Sequence, residues 1–509
     1  MPRDFPDPVI ETPVSAALPL TPQPPEPSEP KPTLFTVLPY IMLPMALAAV
    51  DSTMVSTALP AIVSTLGGVK HVSWIVVGSL VSSVIAAPVY GQLRDVFGSR
   101  RMMLIALAIF MTGALLCSMA TSLAMLVFCR ILQGLGGGGL MTLSQAIIGE
   151  TIPPLERARY QGYLAAVMVT ATSLGPIIGG TLTTLFGWRS IFFFTAPVGL
   201  IAGILTLRGP ARRPAARSWT FDYAGLALFI AFVGPFLIAL DSARSLTPTA
   251  LPGEALLLAI SGAALVGLVW QERRAFFPLL PIHFLSDRTI WMSDALAACH
   301  GAALVSLFTL LPLYLHVMRG ASASAMGAYL LPVMLGIGTG SMTTGRLVSR
   351  TGRTAIFPSV GLTVATLVLL NQAWNMDQWS RVALTISLLV AGASLGTIMG
   401  VVQVTVQSAA GRTALGSAAA SVQISRTVGA AIGTTISSGV LFGVLQWSDP
   451  AVVPAFNALF EGARSASELG VQPVTTAAIG MAFRAAFLTI AGFTALGALI
   501  AWNIPRRHL

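Results

Sequence analysis

Two charged side chains sit where an apolar run should carry none. Asp51 lies in "AAVDSTMVSTALPAI" and Arg130 in "LVFCRILQGLGGGGLM". A charge at the centre of a membrane-spanning helix costs roughly 2.5–3.5 kcal/mol on insertion scales, so each is a functional candidate by default. A carboxyl in such a place is fit to bind and release a proton. The other reading of Asp51 is a carboxylate near the outer end of its run that only orients a helix. Arg130 cannot stay unpaired in an apolar medium and needs a carboxylate or carbonyl partner. Asp51 is one candidate, although no spacing in the chain brings the two together. Asp294 and His300 are further polar groups within a run, six residues apart and so on different faces of a helix. Asp294 falls near the end of its run, where a solvated carboxylate is cheap. His300 is deeper, and a hydrogen-bonded structural role is its simpler reading. Glu150 reads as a solvated charge at a helix end.

No catalytic constellation emerges from the remaining residues. Five histidines and three cysteines in separate apolar runs (Cys117, Cys129 and Cys299) have no metal-ligand spacing, so neither metal, cofactor nor enzyme activity is expected. Gly134, Gly136 and Gly139 satisfy G-x-G-x-x-G, with Glu156 downstream. No strand precedes them, so the dinucleotide reading fails; close helix packing through Gly134 and Gly138 accounts for them.

The elements that must position these groups follow from composition. Of 509 residues 55% are hydrophobic and 9% charged. A soluble domain carries about 25% charged residues, so lipid is the solvent here. Apolar stretches long enough to cross a bilayer occur at 36–56, 73–93, 102–121, 123–148, 161–184, 189–207, 222–240, 255–271, 291–316, 325–347, 355–373, 381–403, 417–444 and 481–502. With both termini cytoplasmic, most of the 29 basic residues fall in inner loops and tails, as the positive-inside rule requires. The net charge of +10 therefore reports topology, and nucleic-acid binding is not expected. Residues 1–34 are proline-rich and polar and read as a disordered cytoplasmic tail. The outer loop at 446–480 is moderately polar, with no assignable role.

An internal repeat organises the spans. "GQLRDVFGSRR" begins at Gly91 after the second span, and "GRLVSRTGR" at Gly345 after the tenth. Gly91 and Gly98 recur at one common offset as Gly345 and Gly352, whereas Ser349 stands where Asp95 would. The chain thus divides into a six-span bundle over 35–207, a linker with two inserted spans over 208–275, and a second six-span bundle over 276–509. Parallel repeats of this kind enclose a central site and alternate its access by rocking.

The first loop resembles the loop signature of the major facilitator superfamily. Gly91, Asp95, Gly98, Arg100 and Arg101 match it, while Val96 and Ser99 depart from its basic residues. The resemblance implies a gating loop whose Asp95 faces the N-terminus of the penultimate span, near Gly416 and Ser417. The run around Asp51, with Ala58, Leu59 and Pro60, is similar to the first-span motif of drug:proton antiporters. Arg130 with Gln133 and Gly134 resembles the fourth-span motif, whose arginine is associated with proton transfer. In "TSLGPIIGG", Gly175, Pro176, Gly179 and Gly180 resemble the fifth-span antiporter motif, with Ala171 replacing its leading glycine. Gln423 and Arg426, in "GSAAASVQISRTVGAAIGTTI", also fit the fourteen-span branch. The resemblance covers roughly residues 35 to 505.

The expected fold is therefore an all-α integral membrane protein with fourteen transmembrane helices arranged as six, two and six. The expected function is secondary active export of amphipathic or hydrophobic small molecules in exchange for protons. Asp51 and Arg130 would couple to protons, and Gln133, Asp294, His300, Gln423 and Arg426 are candidates for the substrate or proton pathway. The resemblance implies a monomer in the cytoplasmic (inner) membrane, with periplasmic efflux partners an open addition. A proton-coupled uptake symporter, a narrow-substrate metabolite exporter and a non-transporting sensor or scaffold are the alternatives.

Overall fold

A computed structural model describes residues 34–67, 71–209, 220–242, 251–280, 282–321, 323–375, 378–411, 414–448, 473–505 and 508. The proline-rich tail over 1–33 and most of the loop at 446–480 lie outside these. The described residues form fourteen α-helices: α1 Leu34–Leu66, α2 Ser73–Phe97, α3 Ser99–Ser118, α4 Leu123–Thr151, α5 Pro154–Phe186, α6 Ser190–Arg208, α7 Tyr223–Ser242, α8 Leu251–Glu272, α9 Arg288–Arg319, α10 Ala323–Thr351, α11 Ile356–Asn375, α12 Arg381–Ala410, α13 Leu415–Ser448 and α14 Pro473–Trp502.

Thirteen of them are long and apolar enough to cross a membrane. The fourteenth, α10, is diluted by glycine and hydroxyl residues such as Gly338, Thr339, Gly340, Ser341, Thr343 and Thr344. Several helices outrun the apolar stretches that announce them, because backbone hydrogen bonding continues past the apolar core wherever nothing stops it. The short gap between α3 and α4 is a true break. The Ser122 hydroxyl caps α4 by accepting from the Met125 amide at 3.2 Å.

The repeat is visible in the backbone. Gly98 ends α2 at φ 87° and Gly352 follows α10 at φ 68°, both in the left-handed region that side chains disfavour. Each half buries its own core. Met103, Phe110, Leu143 and Ile148 belong to one buried cluster of the first half, and Met54, Ile62 and Phe192 to another. Leu307, Leu362, Leu388, Phe483 and Phe487 anchor the core of α9 to α14. The inserted α7 and α8 pair with each other, and α7 lies against α2 and α13. Phe229, Val233 and Leu237 pack there with Val84 and Ala431.

The two bundles press together hardest at the end that carries the GQLRDVFGSRR loop. A Cβ on Gly91 would fall 2.7 Å from the Gly416 carbonyl oxygen, and one on Gly162 the same distance from that of Ser341. Gly345 abuts the Ala158 carbonyl, and Gln407 Nε2 donates to the Gln145 carbonyl at 3.0 Å. Glycine is what permits helices of opposite halves to touch backbone to backbone.

Candidate functional site

Asp51 is in the middle of α1, not at its end, and it is 5% exposed. Arg130 on α4 is 2% exposed and Gln133, one turn on, is fully buried. The three side chains form a closed triangle. Arg130 Nη1 donates to Asp51 Oδ2 at 2.6 Å and to Gln133 Oε1 at 2.7 Å, while Gln133 Nε2 donates to Asp51 Oδ1 at 2.8 Å. Both carboxylate oxygens are thereby bonded, and the Cys117 thiol on α3 reaches Gln133 Oε1 at 3.7 Å. A buried ion pair is tolerated when its remaining polar atoms are also satisfied, and this one satisfies both Asp51 oxygens. Arg130 Nε has no partner among the described residues, so the guanidinium retains a free donor.

The glycines set the walls of this triangle. A Cβ on Gly175 of α5 would strike the Thr53 side chain and lie 2.9 Å from the Val50 carbonyl oxygen; one on Gly179 would come within 2.8 Å of Met54 Cα. Val50, Thr53 and Met54 flank Asp51 on α1, so α5 can approach the acid only because these positions are bare. Pro176 leaves the Thr172 carbonyl without its helical donor, although the helix runs on unbroken. Gly180 faces open space, with nothing within 4 Å of its Cβ position. On the other side, Gly134 and Gly138 of α4 bring α2 close, and Ser83 donates to the Gly134 carbonyl at 2.9 Å.

Asp51 and Gln133 line a chamber of about 180 Å³ between α1, α2 and α4. A larger chamber of about 410 Å³ adjoins it, the two sharing Ser52, Leu80, Gln423 and Thr427. Its walls come from both halves and are mostly apolar, with Met168, Phe308, Met334 and Met399 prominent. Methionine adapts to irregular shapes, which suits a wall that receives ligands of varied outline. Arg426 and Gln423 supply its strongest polar groups, and Arg426 donates to Gln423 Oε1.

The loop that begins at Gly91 is more connected than its sequence suggests. Arg94, the residue before Asp95, is 6% exposed and ion-pairs with Asp95 at 3.0 Å and Glu150 at 3.1 Å. Its Nε donates to Ser99 at 2.8 Å, and Ser99 in turn donates to Glu150. Glu150 is therefore not a solvated end charge: the buried Arg94 draws it into the loop. The Gly416 backbone amide at the start of α13 is near enough to the Asp95 carboxylate to favour its charge, beside the Gly91–Gly416 backbone contact. Arg100 donates to the Leu207 carbonyl at the end of α6, whereas Arg101 is exposed over the Phe97 ring. Arg94→Gln removes the shared cation and leaves Glu150 facing Asp95 without it. A loss of about 1–3 kcal/mol is expected, read as a lower melting temperature of the purified protein.

Two other candidates sit elsewhere. Asp294 is 7% exposed rather than solvated, because α13 covers it; Ser421 donates to it at 3.3 Å. It lines neither chamber. His300 is 1% exposed and lines neither chamber, and its Nε2 has no partner among the described residues. The Arg94–Glu150 pair and the wall shared by the three chamber methionines had no signal in the sequence, since each is defined by contacts between separate helices. No group of metal-ligating residues forms among the described residues.

Residues 41–434 match the model of the Major Facilitator Superfamily. An uncharacterized MFS-type transporter of Mycobacterium tuberculosis is 35% identical over 71% of this chain, and the match spans only about half (52%) of that relative's length. The multidrug transporter MdtP of Bacillus subtilis is 29% identical, with 70% of this chain and 66% of the relative covered. The efflux pump dotC of the fungus Dothistroma septosporum is 32% identical over 72% of this chain and 64% of its own. Among solved structures, the human organic anion transporter MFSD10 superposes with a TM-score of 0.65 at 15% identity, covering 93% of this chain and all of that one. The proton:xylose symporter XylE superposes at 0.59 with 14% identity, covering 92% of this chain and 96% of its own. The family model covers most of the chain, and with the all-helical fold it carries one conclusion: the chain belongs to the Major Facilitator Superfamily.

Proposed function

We propose that this transporter exports amphipathic or hydrophobic small molecules in exchange for protons, by alternating access of the central chamber. The observation that carries the reading is the buried Asp51–Arg130–Gln133 triangle on the wall of that chamber. A proton arriving at Asp51 cancels the charge that holds Arg130. The guanidinium must then find another acceptor, and a packed helix pair has few discrete ways to provide one. Proton binding thereby becomes a bias between two arrangements of α1 and α4. The multidrug and efflux names of relatives support export, as does the resemblance of the Gly175–Gly180 segment to the antiporter motif. The arginine-rich loops support placing the latched end, and both termini, on the cytoplasmic side of the inner membrane; the family resemblance implies that the protein acts as a monomer. The structure then corresponds to a state closed toward the cytoplasm. Nothing favours uptake or a sensing role over this reading.

The test is dye-reported proton flux in everted vesicles acidified inside, with a panel of amphipathic compounds added to wild type and Asp51→Asn at equal expression. Asparagine keeps the shape and an acceptor for Arg130 but holds no exchangeable proton. At least a tenfold loss of compound-driven proton release is expected, since a coupling group cannot be bypassed. Wild-type silence across the panel, or undiminished release in the variant, would contradict the reading.

A further inference from the structure

We infer that Arg426, held by Gln423, is an anion-receiving subsite in the large chamber, and that the molecules carried are apolar organic anions such as aryl carboxylates. This deepens the exporter reading and rests on it. The charge inventory of the chamber walls carries the argument. Among the residues that line the large chamber, Arg426 is the single charged side chain, and no carboxylate lies within ion-pair distance of it among the described residues. Its one side-chain acceptor is the neutral Gln423 amide oxygen.

His300 on α9 interacts electrostatically with Arg426 and brings no negative charge to it. Asp294 is on the same helix but accepts from Ser421, more than one turn before Arg426 on α13, and stays outside the chamber. Asp51 opens only on the smaller chamber, and Arg130 already neutralises it there. The cavity system therefore has an uncompensated positive charge and no free negative one.

An unpaired guanidinium among Met, Phe and Leu side chains is costly unless something completes it. Water does so while the chamber is open, and a carboxylate on an apolar body does so better, because the guanidinium fork matches it and the methionine wall takes the rest. The architecture spends space on this placement. Gly301 is bare where a Cβ would strike the Arg426 backbone carbonyl and come within 3.1 Å of its Cγ, so α9 meets α13 backbone to backbone at this residue and fixes where the arginine starts.

A matched pair of probes of opposite charge, 2-naphthoate and 2-naphthylmethylammonium, tests the inference by calorimetric titration of the purified full-length protein. Naphthoate is expected to bind about 10- to 100-fold more tightly, the worth of one charge-assisted hydrogen bond in a desolvated site. Arg426→Gln should bring the two within about threefold, and Arg426→Lys should keep the preference because it keeps the charge. Ala430→Glu leaves Arg426 in place but gives it a partner one turn along the chamber wall; it too should abolish the preference. Equal affinities, a preference for the ammonium, no naphthoate binding, or a preference that survives both Arg426→Gln and Ala430→Glu would overturn the subsite. The same probes in the vesicle assay separate the two ideas. Arg426-dependent naphthoate binding without proton movement overturns the exchange and keeps the subsite. Proton movement driven equally by both probes, unchanged in Arg426→Gln, overturns the subsite and keeps the exchange.

Discussion

Arg130→Leu is expected to abolish compound-driven proton exchange and to destabilise the folded protein by about 3–5 kcal/mol, the largest stability effect of any single change in the site. Leucine fills part of the volume, so the effect is electrostatic and not a cavity. Asp51 is 5% exposed and its Oδ2 is held by Arg130 at 2.6 Å. With the cation gone, the carboxylate must either stay charged without a counter-ion or hold a proton permanently. The first strains the fold and the second ends proton exchange. Gln133 cannot compensate, because its amide already donates to the other oxygen at 2.8 Å. Arg130→Lys should be intermediate: a point charge can reach Asp51, but the contact shared with Gln133 needs the guanidinium fork. Melting temperature in detergent and vesicle proton flux read the two halves of this prediction separately.

Gly175→Val carries the second-largest expected effect. The added side chain would occupy the place of the Thr53 hydroxyl and crowd the Val50 carbonyl, so α5 must back away from α1. Overpacking of this kind costs about 1–3 kcal/mol in a well-packed interior. Function should suffer more than stability, because Val50 and Thr53 bracket Asp51 and any shift of α1 alters its geometry with Arg130 on α4. Gly180→Ala provides the contrast. That position belongs to the same segment, yet nothing lies within 4 Å of its Cβ. Transport by Gly180→Ala should remain within about twofold of wild type, as expected for a substitution that touches nothing packed. If instead both changes inactivate the protein equally, the segment acts by something other than packing on α1.

The pattern of elements was legible because lipid imposes it. Long apolar runs have to be helices when no water can serve their backbone groups, and glycine at Gly98 and Gly352 had to end two of them in the same way. The identity of the buried polar groups was legible for the same reason: Asp51 and Arg130 are conspicuous where charge is costly. Their pairing was not, since 79 residues separate them and no periodicity within one helix reports on its neighbour. Glu150 and Asp294 were misplaced by an argument from helix ends. A residue near the end of a span is solvated only if no other helix covers it, and here Arg94 and α13 respectively do so. The chamber was illegible for a related reason. Met168, Met334 and Met399 come from three helices in two halves, and only the folded arrangement makes them one wall. Arg426 entered the sequence reading only through a resemblance; its lack of an acidic partner among the described residues is a property of the assembled bundle.

Proton release on ligand binding tests the central claim most directly. Purified protein in weakly buffered solution near neutral pH is mixed with a compound that drives flux in vesicles, and the proton change is read with a soluble indicator. Exchange requires that substrate and proton oppose each other at equilibrium, and linkage makes this reciprocal. The account predicts release of up to about one proton per bound molecule from wild type, and none from Asp51→Asn with ligand still bound. Proton uptake on binding would instead identify a symporter, and release that persists in Asp51→Asn would remove the Asp51–Arg130 pair from the coupling step.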